Sequence, residues 1–293
     1  MPQTPATRRT LLRAATALAA GAALPQLTAA PAAAAAPAAF VDPTSPAGVR
    51  PRLETAATTG QRLVFSDEFN GTALDPAKWT ARDQQRSGGN QGVQWWYKPQ
   101  NVRLTNGALA LDLGSPAPGV YSGARVDSQG KFDLTYGTVE YGIHVPPTEG
   151  HLAAAWLQAS DGTLPGGAAD GSARDGCEID VLESFSKGDE YGVTLHWDGY
   201  GAAHRSSNAV AAAPGLHSGG WYHAFSVTWT PTQLVFGYDG RTVRTVTDPA
   251  LVSQVREFPI ASHEVIAYAQ GDVRLAPLDW HSTMYVDYVR IWQ

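Results

Sequence analysis

Cysteine, charge and long apolar runs are all scarce in this chain of 293 residues. Its one cysteine, Cys177, cannot form an internal disulfide, so stability has to come from a buried core, or in part from a bound metal. Charged residues make up only 16% of the sequence, and the formal net charge is −6, with no long basic stretch in the part expected to fold. These deficits argue against a disulfide scaffold and against nucleic acid as a partner.

An apolar segment of membrane-spanning length is missing as well. The nearest candidate is the Ala- and Leu-rich stretch that follows Arg8 and Arg9, but Thr16 and Pro25 interrupt it. Paired arginines before such a stretch, with small residues beyond it, are typical of a twin-arginine export signal. We therefore expect residues 1–36 to be a cleaved signal peptide, and the mature protein to be secreted from a bacterium without membrane attachment.

Turn formers and aromatic residues are abundant: 30 Gly, 20 Pro, 9 Trp and 11 Tyr. This mixture is expected of β-sandwiches rather than helical bundles. Two pairs of β-type runs are joined by Asn-Gly at 106–107 and by Asp-Gly at 239–240, dipeptides that favour tight hairpin turns. We predict one all-β domain over residues 61–293, built of two packed antiparallel sheets with one curved around a cleft. Residues 37–60, rich in Ala, Pro and Thr, are expected to be a flexible lead-in.

Three carboxylates occur within six residues near the middle of the chain, in a segment that otherwise reads as a buried strand. Glu178 and Asp180 share one face of such a strand, and a bulge of one extra residue would bring Glu183 to the same face. The apolar residues between them, Ile179 among them, place the opposite face in a core. An exposed acidic strand is the alternative, but the apolar face favours a functional site.

Two such Glu side chains leaning together over a concave sheet suggest sugar cleavage. Retaining glycosidases hold two carboxyl groups roughly 5 to 5.5 Å apart, one as nucleophile and one as general acid/base. Crowding three carboxylates also raises the proton affinity of at least one of them, which an acid catalyst needs. The strand spacing alone does not say which Glu has which role.

These residues resemble glycoside hydrolase family 16, a group of retaining endo-glycanases with a β-jelly-roll fold. The run 178–183 matches the bulged Glu-x-Asp-x-x-Glu signature of the laminarinase, agarase and carrageenase side of the family. Further similar segments follow in the family's order, so that the resemblance covers about residues 62 to 293: 65–71, 74–79, 136–140 and 286–290.

The resemblance implies that Glu178 is the nucleophile and Glu183 the general acid/base, with Asp180 between them. The resemblance also implies a secreted endo-glycosidase that has no catalytic cofactor and acts on a polysaccharide, with β-1,3-glucan as the first expected substrate. Agar- or galactan-type polymers, transglycosylation at the same site, and a non-catalytic lectin-like binder are the alternatives. We expect a monomer.

Sugar-binding residues follow from the same resemblance and from the preference of pyranose rings for aromatic faces and forked donors. The candidates are Asn90, Trp96, Arg125, Trp156, His196, Trp197 and Trp280. Only one of two adjacent strand residues can face a groove, so Trp95 is the alternative to Trp96. Arg125 could instead be a solvated strand residue, and His196 a satisfied core histidine.

One departure from the family pattern concerns the cleft, and one family feature lies elsewhere. Leu152 stands where relatives commonly carry a tryptophan beside the cleavage point. This difference concerns the identity of the substrate sugar more than the reaction itself. A structural calcium ion is often found in the family. The matching oxygen donors here are Glu68, the Gly107 carbonyl and Asp287.

Overall fold

The computed structural model describes residues 40–86, 93–160, 168–185, 188–218, 222–268, 271–275 and 281–293. Within these ranges the chain is almost entirely β-structure. Its strands are β1 (Leu63–Asp67), β2 (Thr80–Ala81), β3 (Gln84–Arg86), β4 (Trp95–Tyr97), β5 (Val102–Thr105), β6 (Ala108–Ala117), β7 (Val120–Asp127), β8 (Gly137–His144), β9 (His151–Ala159), β10 (Glu178–Ser184), β11 (Glu190–Trp197), β12 (Arg205–Ala212), β13 (His223–Thr230), β14 (Gln233–Tyr238), β15 (Arg241–Val246), β16 (Glu257–Val265), β17 (Ala267–Tyr268), β18 (Gly271–Asp272) and β19 (His281–Trp292). Four short 3-10 helices are described: Ala56–Thr58, Pro99–Asn101, Pro249–Leu251 and Val273–Leu275.

Most strands belong to two layers, here named the front sheet and the back sheet. The front sheet has the order β2-β7-β16-β9-β10-β11-β12, and every neighbouring pair is antiparallel. The back sheet has the order β5-β6-β19-β8-β13-β14-β15, with β1 paired to the end of β19. Pairing of β6 with β7 joins the layers at one side. This arrangement confirms the predicted all-β sandwich of antiparallel sheets.

The core lies between the two sheets, because each strand turns its apolar side chains toward the opposite layer. Fully buried members from both sheets include Leu109, Val126, Tyr141, Leu157, Ile179, Leu195, Val227 and Ile291. Each such side chain contributes about 1.5–3 kcal/mol when removed from water. With little charge and one cysteine in the chain, this burial holds the sandwich together.

Both predicted hairpins are present. Asn106 and Gly107 join β5 to β6 with φ of 52° and 73°, and Asp239 and Gly240 join β14 to β15 with φ of 47° and 77°. Positive φ at both central residues is the requirement of a type I′ turn. At Gly240 a Cβ would also lie 2.9 Å from the carbonyl oxygen of Arg52. Both the positive φ and this close approach therefore favour glycine at this position.

The first described residues lie against the sandwich, although the sequence predicts a flexible lead-in over residues 37–60. Phe40 pairs with Phe65 in a parallel bridge, and the Val49 carbonyl accepts a 3.0 Å hydrogen bond from Trp292 Nε1. The backbone N–H of Arg52 donates to Glu140 Oε2 at 2.7 Å. These contacts extend the ordered structure back to Phe40. In the described ranges, no helix is long and apolar enough to cross a membrane.

Candidate active site

The three acids of β10 share one face of the front sheet because of a bulge. Opposite β11, Asp180 pairs with Thr194 and Glu183 pairs with Gly192, so three steps along β10 match two steps along β11. The extra residue restores the alternation that would otherwise turn Glu183 toward the core. The predicted bulge and the predicted common face are therefore both present.

The other face of the same strand anchors it in the core. Ile179 and Leu182 are fully buried and Val181 is 1% exposed, all in the cluster between the two sheets. Cys177 is also buried there and carries no disulfide. Because the strand is held from behind by apolar packing and on both edges by β9 and β11, the acids are fixed on a rigid element.

Each carboxyl has a different set of neighbours. Glu183 Oε2 accepts a 2.5 Å hydrogen bond from Thr194 Oγ1, and Glu178 Oε2 accepts one from the Tyr200 hydroxyl. Asp180 is 4% exposed, and its Oδ2 has no hydrogen-bond partner within the described part of the chain. The two Glu side chains can therefore be stabilised as anions, whereas Asp180 is placed where a charge is costly.

Burial raises the proton affinity of the whole cluster. It raises the pKa of Glu178 to about 7, opposed by the Tyr200 hydrogen bond and reinforced by the charges of Glu183 and Glu264. Burial and the same neighbouring carboxylates raise the pKa of Asp180, and burial also raises the pKa of Glu183 against the Thr194 hydrogen bond. Groups this close titrate together, so the cluster retains a proton into the neutral range, as acid catalysis requires.

A histidine completes the β11 side of the cluster. His196 lies directly opposite Glu178, with its Nε2 3.5 Å from Asp180 Oδ2 and 4.0 Å from Glu178 Oε1. Its Nδ1 is 2.9 Å from His204 Nε2. Burial, with His204 adding to it, lowers the pKa of His196 to about 4, so the ring is uncharged near neutral pH.

On the β9 side, a hydrogen-bonded chain of side chains crosses the same face. Trp156, directly opposite Asp180, donates from Nε1 to Ser262 Oγ at 3.0 Å. Ser262 donates to Glu264 Oε1 at 2.8 Å, and the Tyr97 hydroxyl donates to the same oxygen at 2.5 Å. Glu264 is thus a fourth carboxylate on this face, with Oε1 held by two donors.

Arginines lie over the aromatic rings of this region. The Arg125 guanidinium is 4.9 Å from the centre of the Trp156 ring, and its Nε donates to Asp127 Oδ2 at 2.9 Å. The Arg86 guanidinium is 5.6 Å from the centre of the Tyr97 ring. Arg125 is only 8% exposed, so it is held in place rather than solvated. Acids, forked donors and aromatic faces on one concave surface form a carbohydrate-binding cleft.

Comparison with known proteins agrees with this geometry. The model of "Glycosyl hydrolases family 16" matches residues 89–289, more than half of the chain. The chain belongs to this family. Among curated relatives, the Glucan endo-1,3-beta-glucosidase A1 of Niallia circulans is 28% identical over 269 residues, which are 81% of this chain but 38% of that protein. The Beta-glucanase of Rhodothermus marinus is 28% identical over 254 residues, covering 79% of this chain and 85% of that one.

Solved structures of family 16 members share the fold. A non-specific endo-beta-1,3(4)-glucanase, co-crystallized with 1,3-beta-D-cellotriosyl-glucose, is 25% identical, with a TM-score of 0.67 over 84% of this chain and 100% of that one. An endo-glucanase of Bacteroides ovatus, 21% identical, has a TM-score of 0.65 over 78% of this chain and 99% of that one, which supports the jelly-roll fold.

In this family-16 chain, three of the predicted sugar-binding residues lie on the cleft face. Arg125, Trp156 and His196 all lie near the acids, as the contacts above show. Trp197 does not, because it follows His196 on the strand, points to the other face and packs in the core at 7% exposure. Asn90 and Trp280 lie outside the described residues.

Trp96 also points away from the cleft. On β4, Trp95 and Tyr97 share a face, with ring centres 4.7 Å apart, and the Tyr97 hydroxyl reaches Glu264 in the cleft. Trp96 lies between them and so faces the opposite side of the strand. The expectation that Trp96 faces the groove is therefore wrong, and Tyr97 is the β4 side chain that reaches it.

Several cleft residues were missed by sequence reasoning. Glu264, Tyr97, Tyr200 and Thr194 contact the acids or each other across large sequence separations. Only Thr194 had a usable signal, since it lies two residues before His196 in an alternating strand and must share its face. Glu264 lies directly opposite Leu152, the residue that stands where relatives carry a tryptophan.

The residues that the resemblance assigns to calcium do not form a set of free donors. Both oxygens of the Glu68 carboxylate are bonded to Arg290, Oε1 to Nε at 2.9 Å and Oε2 to Nη2 at 2.7 Å. Asp287 is half-buried, and burial together with the Glu68 charge raises its pKa. Gly107 lies in the β5–β6 turn. Glu68 is therefore already engaged by Arg290, and a structural calcium ion stays a prediction.

Proposed function

We propose that this chain is an endo-acting hydrolase of β-linked glucan that retains the anomeric configuration. The observation that carries the proposal is the bulge of β10, which turns Glu183 to the face of Glu178 and Asp180 on the concave sheet. The names of the Niallia circulans and Rhodothermus marinus relatives support glucan as the substrate class.

The mechanism uses the two glutamates in turn. Glu178, whose charge is favoured by the Tyr200 hydrogen bond and by Arg125, attacks the anomeric carbon while Glu183 gives its proton to the leaving oxygen. Glu183 then takes a proton from water, which attacks the same carbon and releases Glu178 as a carboxylate. Burial and the neighbouring carboxylates raise the pKa of Asp180, and a proton held on Asp180 limits its repulsion toward Glu178.

A panel of polymers tests the substrate class. Purified protein is incubated with laminarin, mixed-linkage glucan, agarose, carrageenan and β-1,3-galactan, and new reducing ends are measured. Hydrolysis of laminarin or mixed-linkage glucan is expected, with loss of activity in Glu178→Gln and retention in Glu190→Gln, a change at an exposed glutamate of β11. Binding without cleavage of any polymer would favour the lectin-like alternative.

The stereochemistry tests the mechanism separately. Proton NMR of the first product formed should show the β-anomer before mutarotation, because two displacements at one carbon restore the original configuration. An α-anomer as first product would contradict Glu178 as nucleophile. Transfer of the glycosyl group to an added sugar acceptor would indicate transglycosylation through the same intermediate.

A galactan-type substrate is the second candidate, and two observations favour it. Leu152, which lies opposite Glu264, stands where relatives commonly carry a tryptophan, so an aromatic platform of the usual kind is missing beside the acids. A Keratan-sulfate endo-1,4-beta-galactosidase of Sphingobacterium multivorum is 27% identical over 254 residues, covering 82% of this chain and 57% of that protein. Cleavage of galactan but of neither glucan would select this candidate.

We also infer bacterial export through the segment with Arg8 and Arg9. The apolar stretch after the two arginines supports a cleaved twin-arginine signal. Replacing both arginines with lysine should retain the enzyme inside the cell, and the N-terminus of the exported wild-type protein should start near residue 37. Export of the doubly substituted chain at the wild-type level would contradict this route.

A further inference from the structure

We propose that Glu178, Asp180 and His196 form a binding site for a divalent transition-metal ion of the Zn²⁺ class. One ligand atom from each residue lies within 4.8 Å of the other two. His196 Nε2 is 3.5 Å from Asp180 Oδ2 and 4.0 Å from Glu178 Oε1. Two ligands of a tetrahedral zinc ion, each about 2.0–2.1 Å from the metal, lie about 3.3 Å apart, so only small side-chain shifts close the site.

Asp180 Oδ2 is the observation that points to a ligand. Asp180 is 4% exposed, and this oxygen has no hydrogen-bond donor among the residues that the structure describes. Without an ion this carboxyl holds the proton that the mechanism assigns to it, and a divalent cation would displace that proton and compensate the buried charge. The oxygen is directed to the point where His196 Nε2 and Glu178 Oε1 also converge.

His204 prepares His196 for metal binding. Nδ1 of His196 and Nε2 of His204 are 2.9 Å apart, so one ring donates to the other. When His196 Nδ1 donates, its Nε2 carries a lone pair toward the acids, which is the tautomer a metal needs. Metal-bound histidines commonly have such a partner at the second nitrogen.

The chemistry of the donors selects the ion. One imidazole nitrogen and two carboxylate oxygens match zinc, cobalt or copper, whereas calcium and magnesium prefer sets made entirely of oxygen. The Tyr200 hydroxyl contacts Oε2 of Glu178, so an ion on Oε1 leaves that contact intact. A bound ion would occupy the carboxylate that attacks the sugar and would therefore exclude substrate.

Calorimetric titration of the full mature chain with zinc chloride near neutral pH tests the site. We expect one ion per chain, and Co²⁺ in place of zinc should give the visible absorption of a four-coordinate site. His196→Gln and Asp180→Asn should each lower the affinity by about tenfold or more, and His204→Gln by about tenfold. His281→Gln, a change at an exposed histidine of β19, should have wild-type affinity.

The result can overturn the proposal without any measurement of activity. Absence of zinc binding by the wild-type chain, or an affinity unchanged in both His196→Gln and Asp180→Asn, would refute the site. Thermal unfolding of each variant shows whether a loss of affinity reflects loss of fold, and the two substitutions provide independent answers. A chain that binds zinc but cleaves no polymer after the metal has been removed with a chelator would refute the proposed function and leave the metal site standing.

Discussion

Thr194 donates a 2.5 Å hydrogen bond from Oγ1 to Oε2 of Glu183, the carboxyl assigned as general acid/base. This bond lowers the pKa of Glu183 against the rise caused by burial. A hydroxyl donor stabilises the carboxylate rather than the acid, so it limits the pH range in which the acid remains protonated.

Thr194→Val should therefore move the basic limb of the pH profile. The substitution keeps the shape of the side chain and removes the donor, which raises the pKa of Glu183 further. The acid then stays protonated to higher pH, and the falling limb of kcat/KM should shift upward in a pH-rate measurement. Thr194→Ser, which keeps the hydroxyl, is the control, and an identical shift in both variants would contradict the role of the hydrogen bond.

Tyr200→Phe should move the acidic limb. The Tyr200 hydroxyl donates to Glu178 and opposes the rise in its pKa, so its loss should raise that pKa and leave the nucleophile protonated over a wider range. A hydrogen bond to a charged group contributes about 1.5 kcal/mol or more, so kcat/KM below neutral pH should fall by about tenfold. The aromatic ring, 5.8 Å from that of His204, is retained in this variant. A pH profile of kcat/KM identical to that of the wild type would contradict the role of the Tyr200 hydrogen bond.

Glu264→Gln should shift both limbs in the same direction. Glu264 raises the pKa of Glu178, Asp180 and Glu183 through its charge, so a neutral amide should lower all three. The amide oxygen can still accept from Tyr97 and Ser262. The whole profile of kcat/KM should move to lower pH, unlike the single-limb shifts above. If only KM changes and the profile is unmoved, Glu264 acts on the sugar and not on the acids.

The catalytic strand could be predicted from the sequence because the residues that define the strand and its bulge are close together in the chain. Three acids at spacings of two and three on an apolar strand require a bulge, and the two hairpins required only their turn dipeptides. Trp197 could have been excluded by the same alternation, since its neighbour His196 faces the acids.

Other parts of the site depend on pairing between distant strands. Choosing Tyr97 over Trp96 needs the position of Glu264, which is 167 residues away in the sequence. The pairing of Glu68 with Arg290 spans 222 residues, and the family resemblance that offers Glu68 to calcium does not reveal it. Strand order and register decide such contacts, and neither is encoded in a short motif.

A buried glutamate outside the cleft gives the last prediction. Glu257 is fully buried at the start of β16, and its Oε1 accepts from the backbone N–H of Cys177, the residue before Glu178, at 3.3 Å. Burial raises its pKa from 4.5 to about 8. The folded state therefore keeps this proton while the unfolded state loses it above its ordinary pKa.

The stabilisation from this difference is fully present below the ordinary pKa of a glutamate and is lost as pH rises toward about 8. Glu257→Gln keeps an acceptor for the Cys177 N–H and has no proton to lose. Urea unfolding at pH 5 and pH 8 should show a smaller fall in the free energy of unfolding for this variant than for wild type. Glu190→Gln, at an exposed position, should behave as wild type, and an equal fall in all three proteins would place the ionisation elsewhere.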